Sequence, residues 1–211
     1  MPVLNQLEER IRETQAATRR RHASILARFE AEVQRVGGVI QKTADRQSVG
    51  AAIAALATAQ GTTRCQTTDA DLTTALDLGS ALTQAGVDLV TGPTPESILG
   101  AGIGITRAVL GVAETGSILV HLDEGDGRLL SMLPEIHVAV LSQDALVDSL
   151  EEGLLFTRYL VLKSQAQGLP SYLSWVNGPS RTADIERVLT IGVHGPKELH
   201  IFLVPSTGED R

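Results

Sequence analysis

Short aliphatic runs separated by segments of helical period constrain this chain more than any other feature. His137 to Leu141 is aliphatic without polar alternation, which is how a strand reads when both of its faces are covered. Leu199 to Val204 also reads as a strand. Further strands are expected at Val39 to Gln41, Thr63 to Gln66 and Val87 to Val90, with helices at Gln47 to Ala59, Asp71 to Leu82 and Asp144 to Gln167 between and after them. Alternation of this kind predicts an α/β fold with a largely parallel sheet. Ahead of it, Leu7, Ile11, Ile25, Leu26, Phe29 and Val33 have the spacing of amphipathic helices. Residues 1–36 are therefore expected to be an N-terminal helical arm and 37–211 the α/β domain.

Composition narrows the function classes. A net charge of −7 with a pI near 5.2 argues against coating nucleic acid or an anionic membrane, and an aromatic content of 3% leaves few platforms for stacking bases. No run approaches the ~20 apolar residues of a membrane span, so a cytoplasmic protein handling small metabolites is expected. The single cysteine, Cys65, excludes an internal disulfide or a cysteine metal cage and reads as a buried small hydrophobe. The one basic cluster, Arg19 to His22, reads as a solvated helix face.

Polar chemistry gathers in a few places. Between the Gly178-Pro179 and Gly195-Pro196 turns lie Ser180, Arg181, Thr182, Asp184, Glu186 and His194. Fixed turns, hydroxyls able to cap a short helix, and a guanidinium suited to gripping a carboxylate describe a binding loop. Ser180 lacks the Gly-x-Ser-x-Gly elbow of a serine nucleophile. A second group, Glu114-Thr115-Gly116-Ser117, sits at the turn between strands expected at Val109 to Val112 and Ile118 to His121. Glu114 there is placed either for proton transfer or acyl chemistry, or for pairing with Arg107, Arg128 or Arg181. His121, Arg128 and His137 flank an acidic loop, but no local spacing supports a metal, and hydrogen-bonding histidines are expected. Gly102-x-Gly104 lacks the remainder of either nucleotide-loop motif and reads as close backbone approach. The two polar groups are expected to face each other across a gap at the carboxyl edge of the sheet.

Taken together, Gly104-Ile105-Thr106, Ala113 to Ser117, Leu133-Pro134-x-x-His137, Gly178 to Glu186 and Gly192 to Pro196 resemble the LUD-domain family over nearly the whole chain. The resemblance implies a three-layer α/β/α fold similar to the sugar-phosphate isomerase, deaminase and CoA-transferase group. It also implies a part in oxidising L-lactate to pyruvate beside iron-sulfur partners, the lactate-utilization proteins A and B. A chain with one cysteine agrees with clusters carried by those partners and no cofactor of its own. On this reading Glu114, His194 and Asp184 are the candidate catalytic residues. Thr115, Gly116, Ser117, Gly178, Ser180, Arg181 and Thr182 would bind a small carboxylate, and no metal is expected. The alternatives are a CoA-transferase-like or isomerase-like enzyme using Glu114, or a non-catalytic assembly or regulatory subunit.

Overall fold

A computed structural model describes residues 2–92, 94–122, 125–167, 172–183 and 189–205. The N-terminal apolar stripe forms two helices, α1 (Pro2–Arg20) and α2 (His22–Arg35), which break at Arg21 in the polar stretch between them. Then follow β1 (Val39–Lys42), α3 (Gln47–Ala59), β2 (Arg64–Thr67), α4 (Ala70–Ala75), α5 (Leu78–Gln84), β3 (Asp88–Thr91) and α6 (Pro95–Leu99). The second half contains β4 (Ile103–Val112), β5 (Ser117–Leu122), β6 (Ile136–Ser142), β7 (Leu146–Val147), α7 (Leu150–Gln167), β8 (Tyr172–Val176), β9 (Arg181–Ala183), β10 (Leu189–Ile191) and β11 (Glu198–Val204). Strands β1-β11-β6-β4-β2-β3 run in that order, all parallel, while β5 and β8 extend the sheet antiparallel beyond β4.

Side-chain alternation on the central strands separates two cores. Ile103, Ile105, Val138, Val140, Phe202 and Val204 face α3, α4 and α5. Ala108, Ala139, Leu141, Ile201 and Leu203 face α2, whose Ile25, Phe29 and Val33 are buried among them. The helix α2 is thus part of the α/β body. A third, smaller core lies where Phe156 and Leu160 of α7 cover Leu110, Val112, Leu119 and Val147. The three-layer architecture and the N-terminal helices agree with the expectation.

Several local expectations are corrected. Directly after Ser180 the chain is a strand: residues 181–183 pair antiparallel with 189–191, with Thr182 opposite Thr190. The Ser180 backbone ties this strand to the following loop, its N–H donating to Pro196 O and its carbonyl accepting from Gly192 N. β-Branched residues facing one another favour the hairpin. The helix expected over 71–82 is two, interrupted at Asp77, which has a φ of 47°. The helix expected from Asp144 starts only at Leu150, and its Leu150 and Leu154 are exposed at 39% and 53%. Gly153 sits where a Cβ would lie 2.9 Å from Trp175, which rotates Phe156 and Leu160 inward. β4 begins at Ile103, ahead of the strand expected at Val109, and takes in Gly104, which is needed there because a Cβ would fall 2.1 Å from Leu130 O.

Candidate functional site

The two polar stretches do meet, but on the last turn of α2. Asn177 Nδ2 donates to Thr115 O and to Ser117 Oγ, each at 2.8 Å, and Thr115 Oγ1 lies 2.8 Å from Ser117 Oγ. Gly116 (φ 66°) packs on the backbone of Val33, and Gly178 (φ 70°) on Val36 O. Arg181 Nη2 donates to Val36 O at 2.6 Å, placing a cation at the carboxyl end of the helix, where the dipole favours it. Thr115, Gly116, Ser117, Gly178 and Arg181 are therefore brought together as a clamp on α2. Ser180 pins the 192–196 loop, Thr182 lies in the β9–β10 hairpin, and His194 is exposed to solvent. Glu114 turns away: its Oε2 accepts from Leu150 N at 2.8 Å and caps α7, the partner being this amide and none of the expected arginines. Asp184 and Glu186 lie outside the described residues.

The position of this clamp corrects the expected edge. Pro196, Glu135 and Val36, which the loop and its neighbours contact, lie shortly before the starts of β11, β6 and β1. The loop thus lies at the amino ends of the parallel strands, whereas ligand crevices in open α/β sheets form at the carboxyl ends.

At the carboxyl ends there is a crevice built from other residues. Its first chamber, of about 270 Å³, is walled by apolar side chains including Leu76, Leu110, Val140, Val147 and Val204, with Arg46, Arg107, Ser142 and Asp144 among them. Ser142 Oγ is buried there and has no partner among the described residues. A second, more polar chamber of about 520 Å³ lies between Thr68 to Asp71 and His121. This opening exists because β4 pairs with β2 only at Ile103 and Gly104 and with β5 only from Ala108 onward, so 105–107 have no strand on that side.

Arg107 lines both chambers. Its Nε donates to Asp69 Oδ2 at 2.8 Å and its Nη2 to Asp69 Oδ1 at 3.2 Å, a side-on fork that fixes the guanidinium plane. Asp69 Oδ1 also accepts from Leu72 N at 2.6 Å, capping α4. Burial alone would raise the Asp69 carboxyl, but the Arg107 hydrogen bonds and charge, with the Leu72 amide, outweigh it and hold the group below the ordinary carboxylate value. Behind the polar chamber, Thr106 Oγ1 lies 2.8 Å from Nε2 of the fully buried His137, whose burial depresses its pKa to about 4. His137 is therefore a neutral hydrogen-bonding residue at pH 7. Among the described residues no three His, Cys, Asp or Glu side chains are grouped to hold a metal.

In the sequence Arg107 stands only as one of three candidate partners for Glu114. The available signal was a guanidinium inside an otherwise uncharged strand, Ile103 to Val112, with an acid two residues beyond the end of β2. A charge is retained at such a place when it is paired or put to use.

These features define a three-layer α/β domain with a divided crevice at the carboxyl edge of its sheet. A LUD-domain profile matches residues 26–204, and the chain belongs to the LUD-domain family. Lactate utilization protein C of Halalkalibacterium halodurans is 40% identical over 97 residues, covering 46% of this chain and 41% of that protein. Lactate utilization protein C of Deinococcus radiodurans is 36% identical over 101 residues, 47% of this chain and 45% of that one. The chain thus aligns with less than half the length of these curated relatives. The fold is also that of a DUF162 family protein from Deinococcus radiodurans, with a TM-score of 0.60, 22% identity and coverage of 87% of this chain and 98% of the other. Among the described residues no helix is long and apolar enough to cross a membrane.

Proposed function

We propose that this chain serves lactate utilization as a subunit of an L-lactate-oxidising system, holding a small carboxylate at Arg107 while electrons leave through iron-sulfur clusters on partner proteins A and B. The observation that carries the site is the Arg107 guanidinium, held in plane by Asp69 at the wall of the carboxyl-edge crevice. A fixed guanidinium is the group best suited to a planar carboxylate. The division of labour rests on the names of the relatives and on Cys65. That cysteine is the only one in the chain and fully buried, and burial pushes its thiol up to about 12. Such a thiol is a poor metal ligand, and a cluster needs several.

The test is lactate-dependent dye reduction by the chain assembled with its A and B partners. Arg107→Ala should lower activity about 30-fold or more, the equivalent of about 2 kcal/mol for truncating one partner of an ion pair. Arg107→Lys, which keeps the charge and loses the fork, should fall between the two. Full activity in both variants would overturn the reading. The acyl-enzyme alternative is disfavoured because Glu114 is occupied by Leu150 N and points away from the crevice.

A second reading is favoured by a distinct observation, and it concerns assembly. Met132, Leu133, Ile191 and Val193 are 43–51% exposed around the Ser180 and His194 loops, an apolar surface of the kind that docks a partner. Charge reversal at Arg181 or loss of His194 should then weaken co-purification with A and B and leave carboxylate binding unchanged.

A further inference from the structure

The first chamber of the crevice is too large and too apolar for lactate alone. Its volume is about 270 Å³, whereas an apolar cavity of about 150 Å³ accommodates benzene, with its six heavy atoms. Lactate also has six heavy atoms, and half of them are oxygen. The wall is mostly aliphatic: Leu76, Leu110, Val140, Val147 and Val204 are each no more than 4% exposed and offer no hydrogen bond through their side chains. The polar groups are few: the guanidiniums of Arg46 and Arg107, the latter paired with Asp69, the Asp144 carboxylate, the Gln15 amide, and the Ser142 hydroxyl, whose oxygen is buried without a partner among the described residues. An aliphatic wall with a small polar minority that includes the Arg107 guanidinium matches a ligand that is itself divided, with an apolar body and a carboxylate head.

We infer that the crevice selects carboxylates carrying an apolar tail, of about ten heavy atoms in all, and most simply medium-chain 2-hydroxy carboxylates. This rests on the proposal that a carboxylate is held at Arg107, and it names the class of carboxylate. The head group lies against the guanidiniums and Ser142, and the tail displaces water from the aliphatic wall. Each methylene buried this way contributes about 0.8 kcal/mol, which is about fourfold in affinity. Lactate, with only a methyl group, leaves most of the wall uncovered and binds weakly.

The experiment is isothermal titration of the purified full chain with L-lactate and with L-2-hydroxybutyrate, L-2-hydroxyhexanoate and L-2-hydroxyoctanoate, in parallel with Arg107→Ala. Affinity should rise about fourfold per methylene until the chamber is full and then level off or fall. Arg107→Ala should weaken every member of the series by a similar factor. Ala145→Leu, which narrows the same chamber, should move the optimum to shorter chains. Equal affinity along the series, with Arg107→Ala still weakening all of it, would overturn the tail inference and leave the carboxylate proposal standing. Binding of no member of the series, or binding indifferent to Arg107, would overturn both. The ligand series is read on the unaltered chain, so the result does not depend on any variant folding.

Discussion

At the scale of single residues, His137 illustrates how burial becomes a pH dependence. The imidazole is fully buried against Thr106, and its pKa falls from 6.5 to about 4. In the unfolded chain it gains a proton as pH drops through 6.5, and in the folded chain only near 4, so the unfolded state binds more protons throughout that interval. Stability is therefore complete above pH 6.5 and declines as pH falls toward 4. The contribution of this residue should be about 2 kcal/mol smaller at pH 5 than at pH 7. Denaturant midpoints at the two pH values should show that difference in the wild type, and His137→Leu should remove it while lowering stability at pH 7. Asp69 acts in a separate window. Its depressed carboxyl contributes stability above its unfolded pKa of 3.8 that is lost as pH falls below it.

At the scale of elements, the seating of the β4–β5 turn on α2 can be separated from turn conformation by comparing two glycines. Gly86 (φ 72°) and Gly116 (φ 66°) have nearly the same backbone, but a Cβ on Gly86 meets nothing within 4 Å, whereas on Gly116 it falls 2.6 Å from Val33 N. Gly86→Ala should cost about 1 kcal/mol for its left-handed conformation alone. Gly116→Ala should cost roughly 3 kcal/mol or more, because the turn must lift off the helix. Chemical denaturation of the two variants gives the comparison directly. The same scale shows what could be read in advance. β6 and β11 were legible because a strand covered on both faces must be aliphatic throughout. β8 and the β9–β10 hairpin were not, since their short, mixed sequences acquire a strand partner only through tertiary pairing, to β5 in the first case. Ser180 and Thr182 carry the composition of helix caps, but the residues directly after Ser180 are taken up by pairing with 189–191.

At the scale of the whole molecule, the sheet is packed on both faces and its single thiol lies inside one of the cores. Cys65 is fully buried and its thiol is pushed up to about 12, so the thiolate needed for alkylation is scarce and inaccessible in the native state. Modification by iodoacetamide at pH 8 should proceed only through unfolding, with a rate that rises with denaturant in step with the loss of structure. Rapid labelling in native buffer would contradict the packing around β2. The overall site was only partly readable in the sequence. The residues of the polar loops were identified, and their convergence was foreseen, but the edge of the sheet was not. Edge depends on strand order, and strand order places Val36, Glu135 and Pro196 together at the amino ends. Arg107 and Asp69 are separated by 38 positions, and the pair becomes visible only once β2 and β4 are neighbours.

Asp69 performs two tasks with one carboxylate, gripping Arg107 and capping α4 through Leu72 N. Any molecule that draws the guanidinium toward itself must change how that oxygen is shared. The first turn of α4 is thus a built-in reporter. Hydrogen exchange at the Leu72 amide should change when the crevice fills, and the occupancy of the site becomes measurable in a helix that need not touch the ligand's head group.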